Sequence, residues 1–234
     1  MKAYSQYQQR YFCNLRESDK VIIDLVRDVA AKQPVNRLLD IGCSTGNLLY
    51  HLKVEFPALT LTGGDLSSEI VAGCRLNPAL AGIEFETINV VELGDGPKFE
   101  VVIANAMLHF LSAEEFEKAL RGISKRLSSG GWLIAFDYFH PFEQELEIKE
   151  ISPAHPEGIT VCYRSCATTK AVLEKNAFTN AEFRPFNIPI DLSPATGDDY
   201  LDLRTHTVKL ADGRRLCFRG ALFQPWCHLL ARQA

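Results

Sequence analysis

Residues 38 to 49 read Leu38-Leu39-Asp40-Ile41-Gly42-Cys43-Ser44-Thr45-Gly46-Asn47-Leu48-Leu49, an apolar run ending in an acid, a short turn bracketed by glycines, and a second apolar stretch. The first run has the length of a buried strand and the last opens a helix. Gly42 and Gly46 admit backbone conformations and a close ligand approach that a Cβ would block, while a helix N-terminus presents unpaired N–H groups. A glycine pair alone is weak evidence, but a second signal follows roughly 20 residues on. There Gly63-Gly64-Asp65 closes the next apolar run, where an acid can accept hydrogen bonds from both hydroxyls of a ribose. The two signals together predict a nucleotide site within one strand-helix-strand unit.

Working outward, short apolar runs at Arg37 to Ile41, Leu59 to Thr62, Ile83 to Ile88, Phe99 to Ala104 and Trp132 to Phe136 read as buried strands. Helices are expected between them: Gly46 to Phe56, Ser67 to Arg75 capped by Ser67, and a capping box at Ser112 and Glu115 ahead of Phe116, Leu120 and Ile123. Before the first strand, Val21, Ile22, Leu25, Val26, Val29 and Ala30 make one face of a helix over 18–31, with Ser18 as its N-cap. Alternating strands and helices imply right-handed crossovers and an α/β fold: a mostly parallel sheet with helices on both faces, binding ligands at the carboxyl ends of its strands.

The alternation breaks after residue 138. Leu146 to Ile151 and Ile159 to Tyr163 flank Ser-Pro-Ala-His-Pro-Glu-Gly and predict an inserted hairpin or lid over 139–166. Beyond it, a helix is expected over Thr168 to Phe178 and a strand over Glu182 to Ile190. An antiparallel C-terminal hairpin is expected with Asp212-Gly213 turning between His206 to Leu210 and Arg215 to Phe223. We read 1–234 as a single domain, with 1–34 a helical cap, 35–138 the nucleotide-binding core, 139–166 the lid and 167–234 the C-terminal helix and strands.

Composition narrows the function. The 234 residues are 47% hydrophobic and 23% charged with a formal net charge of −4, which suits a globular domain and gives no basic field for nucleic acid. No run approaches the ~18 apolar residues of a membrane span, and the first residues lack the apolar core of a secretory signal, so a cytoplasmic protein is expected. Seven scattered cysteines without CxxC or histidine spacing point to reduced thiols and no metal.

The glycine register chooses between nucleotides. A dinucleotide fingerprint, G-x-G-x-x-G, would put glycine where Ser44 and Asn47 stand, and both departures count against a pyrophosphate. The pattern is instead Asp-x-Gly-x-x-x-Gly, and over residues 35 to 140 the chain resembles the class I S-adenosylmethionine-dependent methyltransferases, a Rossmann-like family. The supporting segments run in family order: Leu38 to Gly46, Asp65, Ile88-Asn89-Val90, Val101 to Leu111, then Gly130-Gly131-Trp132. Asn89 stands where the family usually has an acid, and Ser44 replaces a common middle glycine. The resemblance implies S-adenosylmethionine as cofactor. Asp40 and the Gly42 to Gly46 loop, including Cys43 and Ser44, would face its methionine portion, and Asp65 with Leu66 its ribose. Asn89 and Val90 would border the adenine, Asn105 and Ala106 would lie under the sulfonium, and Tyr7 and Tyr11 would close over the cofactor.

The same resemblance implies methyl transfer to oxygen or nitrogen of a small molecule. An NAD(P)-dependent oxidoreductase and a non-catalytic nucleotide-binding partner domain are the alternatives. A sulfonium methyl is already activated, so the protein has chiefly to hold a lone pair in line with it in a dry pocket. A hydroxyl or protonated amine acceptor gains from a general base. His109 and His140, both following strands, are the base candidates, and Tyr138 would orient the acceptor. His51, His155, His206 and His228 are expected away from the pocket. Arg16, Arg164 and Arg219 are candidates for an acidic substrate. Glu143, Glu145, Glu147 and Glu150 read as a solvated face, and Phe142, Leu146, Ile148 and Ile151 offer an apolar arm for a homodimer.

Overall fold

The computed structural model describes residues 12–153, 155–194 and 204–234; Tyr7 and Tyr11 lie outside them. Five parallel strands form the centre, β1 (Arg37–Ile41), β2 (Thr60–Asp65), β3 (Glu84–Thr87), β4 (Phe99–Asn105) and β5 (Leu127–His140). Two more, β8 (Phe178–Pro185) and β12 (Trp226–Gln233), complete the order β3-β2-β1-β4-β5-β12-β8, with β12 antiparallel to both neighbours. Leu38, Leu39, Asp40 and Ile41 are all buried, as expected of a central strand covered on both faces. The expected α/β class with a mostly parallel sheet is therefore the observed one.

The covering helices are α1 (Glu17–Ala30), α2 (Asn47–Glu55) and α3 (Ser68–Leu76) on one face and α4 (Ala113–Arg126) and α5 (Cys166–Lys175) on the other. Ser67 caps α3 by accepting from the Ile70 N–H, and Ser112 and Glu115 form the reciprocal capping box of α4. Ser18 does not cap α1: Arg16 holds that position, and the buried stripe includes Asp19 and Ile23 but not Ala30.

Other boundaries moved for local reasons. Strand β5 starts at Leu127, because Ser128 to Gly131 continue the strand through a register shift opposite Phe99 and Val101 instead of making a turn. The expected helix at 168–178 is α5, capped by Ser165, and the strand expected at 182–190 is β8, ending at Pro185. The lid is a hairpin of β6 (Leu146–Ser152) and β7 (His155–Ser165), whose last residues pair in parallel with the end of β5. The C-terminal hairpin is a three-stranded sheet of β9 (Thr205–Lys209), β10 (Arg215–Arg219) and β11 (Leu222–Gln224), broken at Gly220 where an uninterrupted strand was expected. Strand β12 has no counterpart in the sequence reading.

Candidate cofactor and acceptor site

The turn after β1 is built from the backbone. Gly42 and Gly46 adopt φ of +76° and +74°, where an L side chain is strained; a Cβ on Gly46 would stand 2.7 Å from Leu80 Cδ1. The N–H groups of Gly42 and Cys43 both donate to the Gly64 carbonyl, at 2.7 and 3.0 Å. Ser44 takes φ +50° and donates its N–H to Asp65 Oδ2 at 3.0 Å. The Ser67 N–H donates to Asp65 Oδ1 at 3.0 Å. Asp65 is thus aimed by two amides, and each of its oxygens keeps a further lone pair for a ligand.

Three acids meet here. Asp40 is 2% exposed, and its Oδ1 is buried without a hydrogen-bond partner. Burial first, then the neighbouring charges of Asp19 and Asp65, pushes its carboxyl well above the ordinary range. Asp19, on the first turn of α1, is likewise buried, and desolvation raises it too, although it accepts from Asn105 Nδ2 at 3.0 Å. Buried carboxylates that repel one another, one with an oxygen lacking a donor, are costly alone and are relieved by a cation. Asp19 was not anticipated as a site residue, since in sequence it is one more polar position in a helix. His51, expected far away, lies within electrostatic range of Asp19, has a buried, unpartnered Nε2, and is lowered by burial.

The remaining expected cofactor residues sit as follows. Asn105 and Ala106 close β4, and Ala106, at φ +55°, donates its N–H to the Phe136 carbonyl at 2.7 Å. Leu66 is exposed, Val90 is buried, and Asn89 Oδ1 accepts from the Val91 N–H at 3.1 Å. Asp40, the Gly42 to Gly46 loop, Asp65, Asn105 and Ala106 therefore share the carboxyl ends of β1, β2 and β4.

At the end of β5 a second group forms. Asp137, 1% exposed, accepts from the N–H groups of Leu108, His109 and Tyr138 at 2.7, 3.2 and 2.7 Å, and its Oδ1 lies 2.8 Å from His109 Nδ1. The His109 ring stacks on Tyr138 with centroids 4.5 Å apart. Tyr138 Oη accepts from Gln224 Nε2 at 2.6 Å, and burial raises its hydroxyl, which keeps it protonated. His140 is buried farther along β5, 6.0 Å ring to ring from Phe142, with neither ring nitrogen hydrogen-bonded.

Several expectations change. His228 lies against Phe136 at 4.5 Å, its Nε2 is 3.3 Å from the Ser18 carbonyl, and burial lowers it to about 4; it came near the site with the unforeseen β12. Arg164 is no substrate arginine: it donates to the carbonyls of Leu108, Leu111 and Ser112 and packs over Phe116, clamping the loop that carries His109. The acidic stretch is not a uniformly solvated face, because Glu145 accepts from the Ser165 N–H at 2.9 Å and Glu150 pairs with Arg219 at 3.3 Å. Ile148 packs inward against Tyr138, Val161 and Tyr163 and leaves the apolar arm. Among the described residues no cluster of ligating side chains could hold a metal, and no helix is long and apolar enough to cross a membrane.

Comparison with known proteins gives a consistent picture. Residues 38–131 match the family model for a methyltransferase domain. The chain is 30% identical over 110 residues to a trans-aconitate 2-methyltransferase of Mycolicibacterium gilvum, covering 47% of this chain and 40% of that one. It is 37% identical over 142 residues to a carboxy-S-adenosyl-L-methionine synthase of Trichodesmium erythraeum, covering 57% and 51%. It thus spans about half the length, or less, of these curated relatives. In fold it is similar to CalS10, an amino pentose methyltransferase of Micromonospora echinaspora solved with S-adenosylmethionine bound, with TM-score 0.60 and 16% identity over 97% of this chain and 96% of that one.

Proposed function

We propose that this chain binds S-adenosylmethionine at the carboxyl ends of β1, β2 and β4 and transfers its methyl group to oxygen or nitrogen of a small molecule. The observation that carries the reading is Asp40, a buried carboxylate with an unpartnered oxygen beside a second buried acid. Such a pair suits a cationic ligand, and this cofactor carries an ammonium and a sulfonium. It suits the doubly anionic pyrophosphate of NAD poorly, which adds to the two missing glycines.

In this reading Asp40 and the Gly42 to Gly46 loop, with Cys43 and Ser44, hold the methionine portion. Asp65 binds the ribose with Leu66 alongside, Asn89 and Val90 border the adenine, and Asn105 and Ala106 line the sulfonium side. Bound there, the cofactor supplies a methyl group on positive sulfur. The protein's part is to exclude water and remove the acceptor's proton. His109 is our candidate for that: Asp137 Oδ1 lies 2.8 Å from its Nδ1, which supports Nε2 as the basic nitrogen. Tyr138, kept protonated, orients and does not accept the proton, while His140 has no acid partner to fix its tautomer and is the weaker candidate. We take the chain as one domain in the cytoplasm, consistent with its seven free thiols. Phe142, Leu146 and Ile151, all exposed, remain the arm for a homodimer.

The test is incubation of the protein with S-adenosylmethionine and a panel of hydroxylated, amine and carboxylate acceptors, with mass-spectrometric detection of S-adenosylhomocysteine and methylated product. Acceptor-dependent formation of both is expected. Turnover of NAD(H) without either product overturns the reading.

A further inference from the structure

The glycine loop carries chemistry that methyl transfer does not use. Cys43 lies inside the loop and Cys74 in the last turns of α3, and both are buried. Their thiols converge on one acceptor: Cys74 Sγ is 3.2 Å and Cys43 Sγ 3.8 Å from the Ser44 carbonyl oxygen. Ser44 is the residue held at φ +50° whose N–H aims Asp65. We propose that Cys43 and Cys74 are a redox-active dithiol whose oxidation to a disulfide deforms the 42–46 loop and releases the cofactor. The release half rests on the function proposed above.

The geometry supports both halves. A disulfide needs its sulfurs at about 2 Å, so thiols that share one carbonyl oxygen must move together to close it, and closing it drags the Cys43 backbone toward α3. Both S–H donors then leave the Ser44 carbonyl, and the Ser44 amide that positions Asp65 moves with its own peptide chain. The interaction with the neighbouring Cys43 thiol also draws the Cys74 thiol below its ordinary range, making it the more readily ionised sulfur. With hydrogen peroxide as oxidant, the Cys74 thiolate attacks one peroxide oxygen. The O–O bond breaks, a sulfenic acid forms, and the departing hydroxide takes up the proton lost from Cys74 as water. The Cys43 sulfur attacks the sulfenic sulfur, the S–S bond forms as S–O breaks, and a second water leaves with the Cys43 proton. Two thiols lose two electrons, and peroxide, reduced to two waters, gains them.

The experiment treats the full chain with hydrogen peroxide and reads three quantities: disulfide-linked peptides in a non-reducing digest, hydrogen exchange across residues 42–46, and affinity for S-adenosylhomocysteine by titration. The expected result is a Cys43–Cys74 linkage, faster exchange in the loop and affinity weaker by about tenfold or more, all reversed by dithiothreitol. Cys74→Ser, with Cys74→Ala as a second variant should the first fold poorly, is expected to bind the untreated ligand normally and to ignore peroxide. Absence of the linkage, or a linkage that leaves both exchange and affinity unchanged, overturns the proposal. A reduced protein that does not bind S-adenosylhomocysteine at all contradicts the cofactor reading instead; the linkage and loop exchange still decide the dithiol.

Discussion

The carboxyl ends of β1 and β4 gather buried acids and the end of β5 holds one, yet they are finished differently. At β5, Asp137 receives four hydrogen bonds, three from backbone amides and one from His109. At β1, Asp40 retains an oxygen with no donor and faces the charge of Asp19. A saturated carboxylate is part of the fold's own stability, whereas an unsaturated one stores an unfavourable interaction that a ligand of opposite charge removes. The difference separates a preorganised wall from the charge-frustrated site proposed for the cofactor.

The sharpest way to break this contrast is to remove the saturated acid. Asp137→Ala leaves three amides and a histidine without their acceptor and is expected to destabilise the protein by about 3 to 5 kcal/mol, measured by urea denaturation. A loss below ~1 kcal/mol contradicts the structural role assigned to it.

Next in size is a pH effect. His228 has a folded value near 4 against an ordinary 6.5, so the folded state resists its protonation. Its contribution is fully present above pH 6.5 and is lost as pH falls toward 4, by at most about 1.4 kcal/mol per unit. Asp19 and Asp40 act with opposite sign: their raised carboxyls disfavour folding while ionised, and that penalty eases as pH falls through their folded values. His228→Gln should therefore flatten the decline of the urea midpoint between pH 6.5 and 4.5; an unaltered decline assigns it to other groups.

At the binding site the effects belong to the ligand. Asp65→Ala is expected to lose about 1.5 to 3 kcal/mol of hydrogen bonding to ribose, weakening S-adenosylhomocysteine roughly ten- to a hundredfold in a folded protein. Titration checks it, and unchanged affinity removes Asp65 from the ribose. The smallest effect is expected at the α4 cap. Ser112→Ala should cost about 1 kcal/mol of stability with no change in ligand affinity, and any affinity change would tie that helix to the site.

How much of this was legible in the sequence follows the range of the interactions. The strand, turn and acid of Leu38 to Gly46, the acid at Asp65 and the Ser112 cap were readable because each is fixed by neighbours a few residues away. Asp19 was not, because its partner Asn105 is 86 residues distant. His228 was hidden in the same way, entering through β12, whose Trp226–Gln233 run shows no alternation because its side chains enter the cores on both faces of the sheet. Arg164 looked like a substrate ligand in a chain read one residue at a time; three carbonyl partners on a distant loop make it a clamp.

The central claim is that the frustrated acids of β1 and α1 are a site for a cationic nucleoside. Isothermal titration of the wild type and Asp40→Asn with S-adenosylmethionine, S-adenosylhomocysteine and NAD tests it most directly. The account predicts micromolar binding of both adenosyl ligands, markedly weaker binding in Asp40→Asn although that variant folds at least as stably, and no binding of NAD. Binding of NAD alone, or adenosyl affinities indifferent to Asp40, would contradict it.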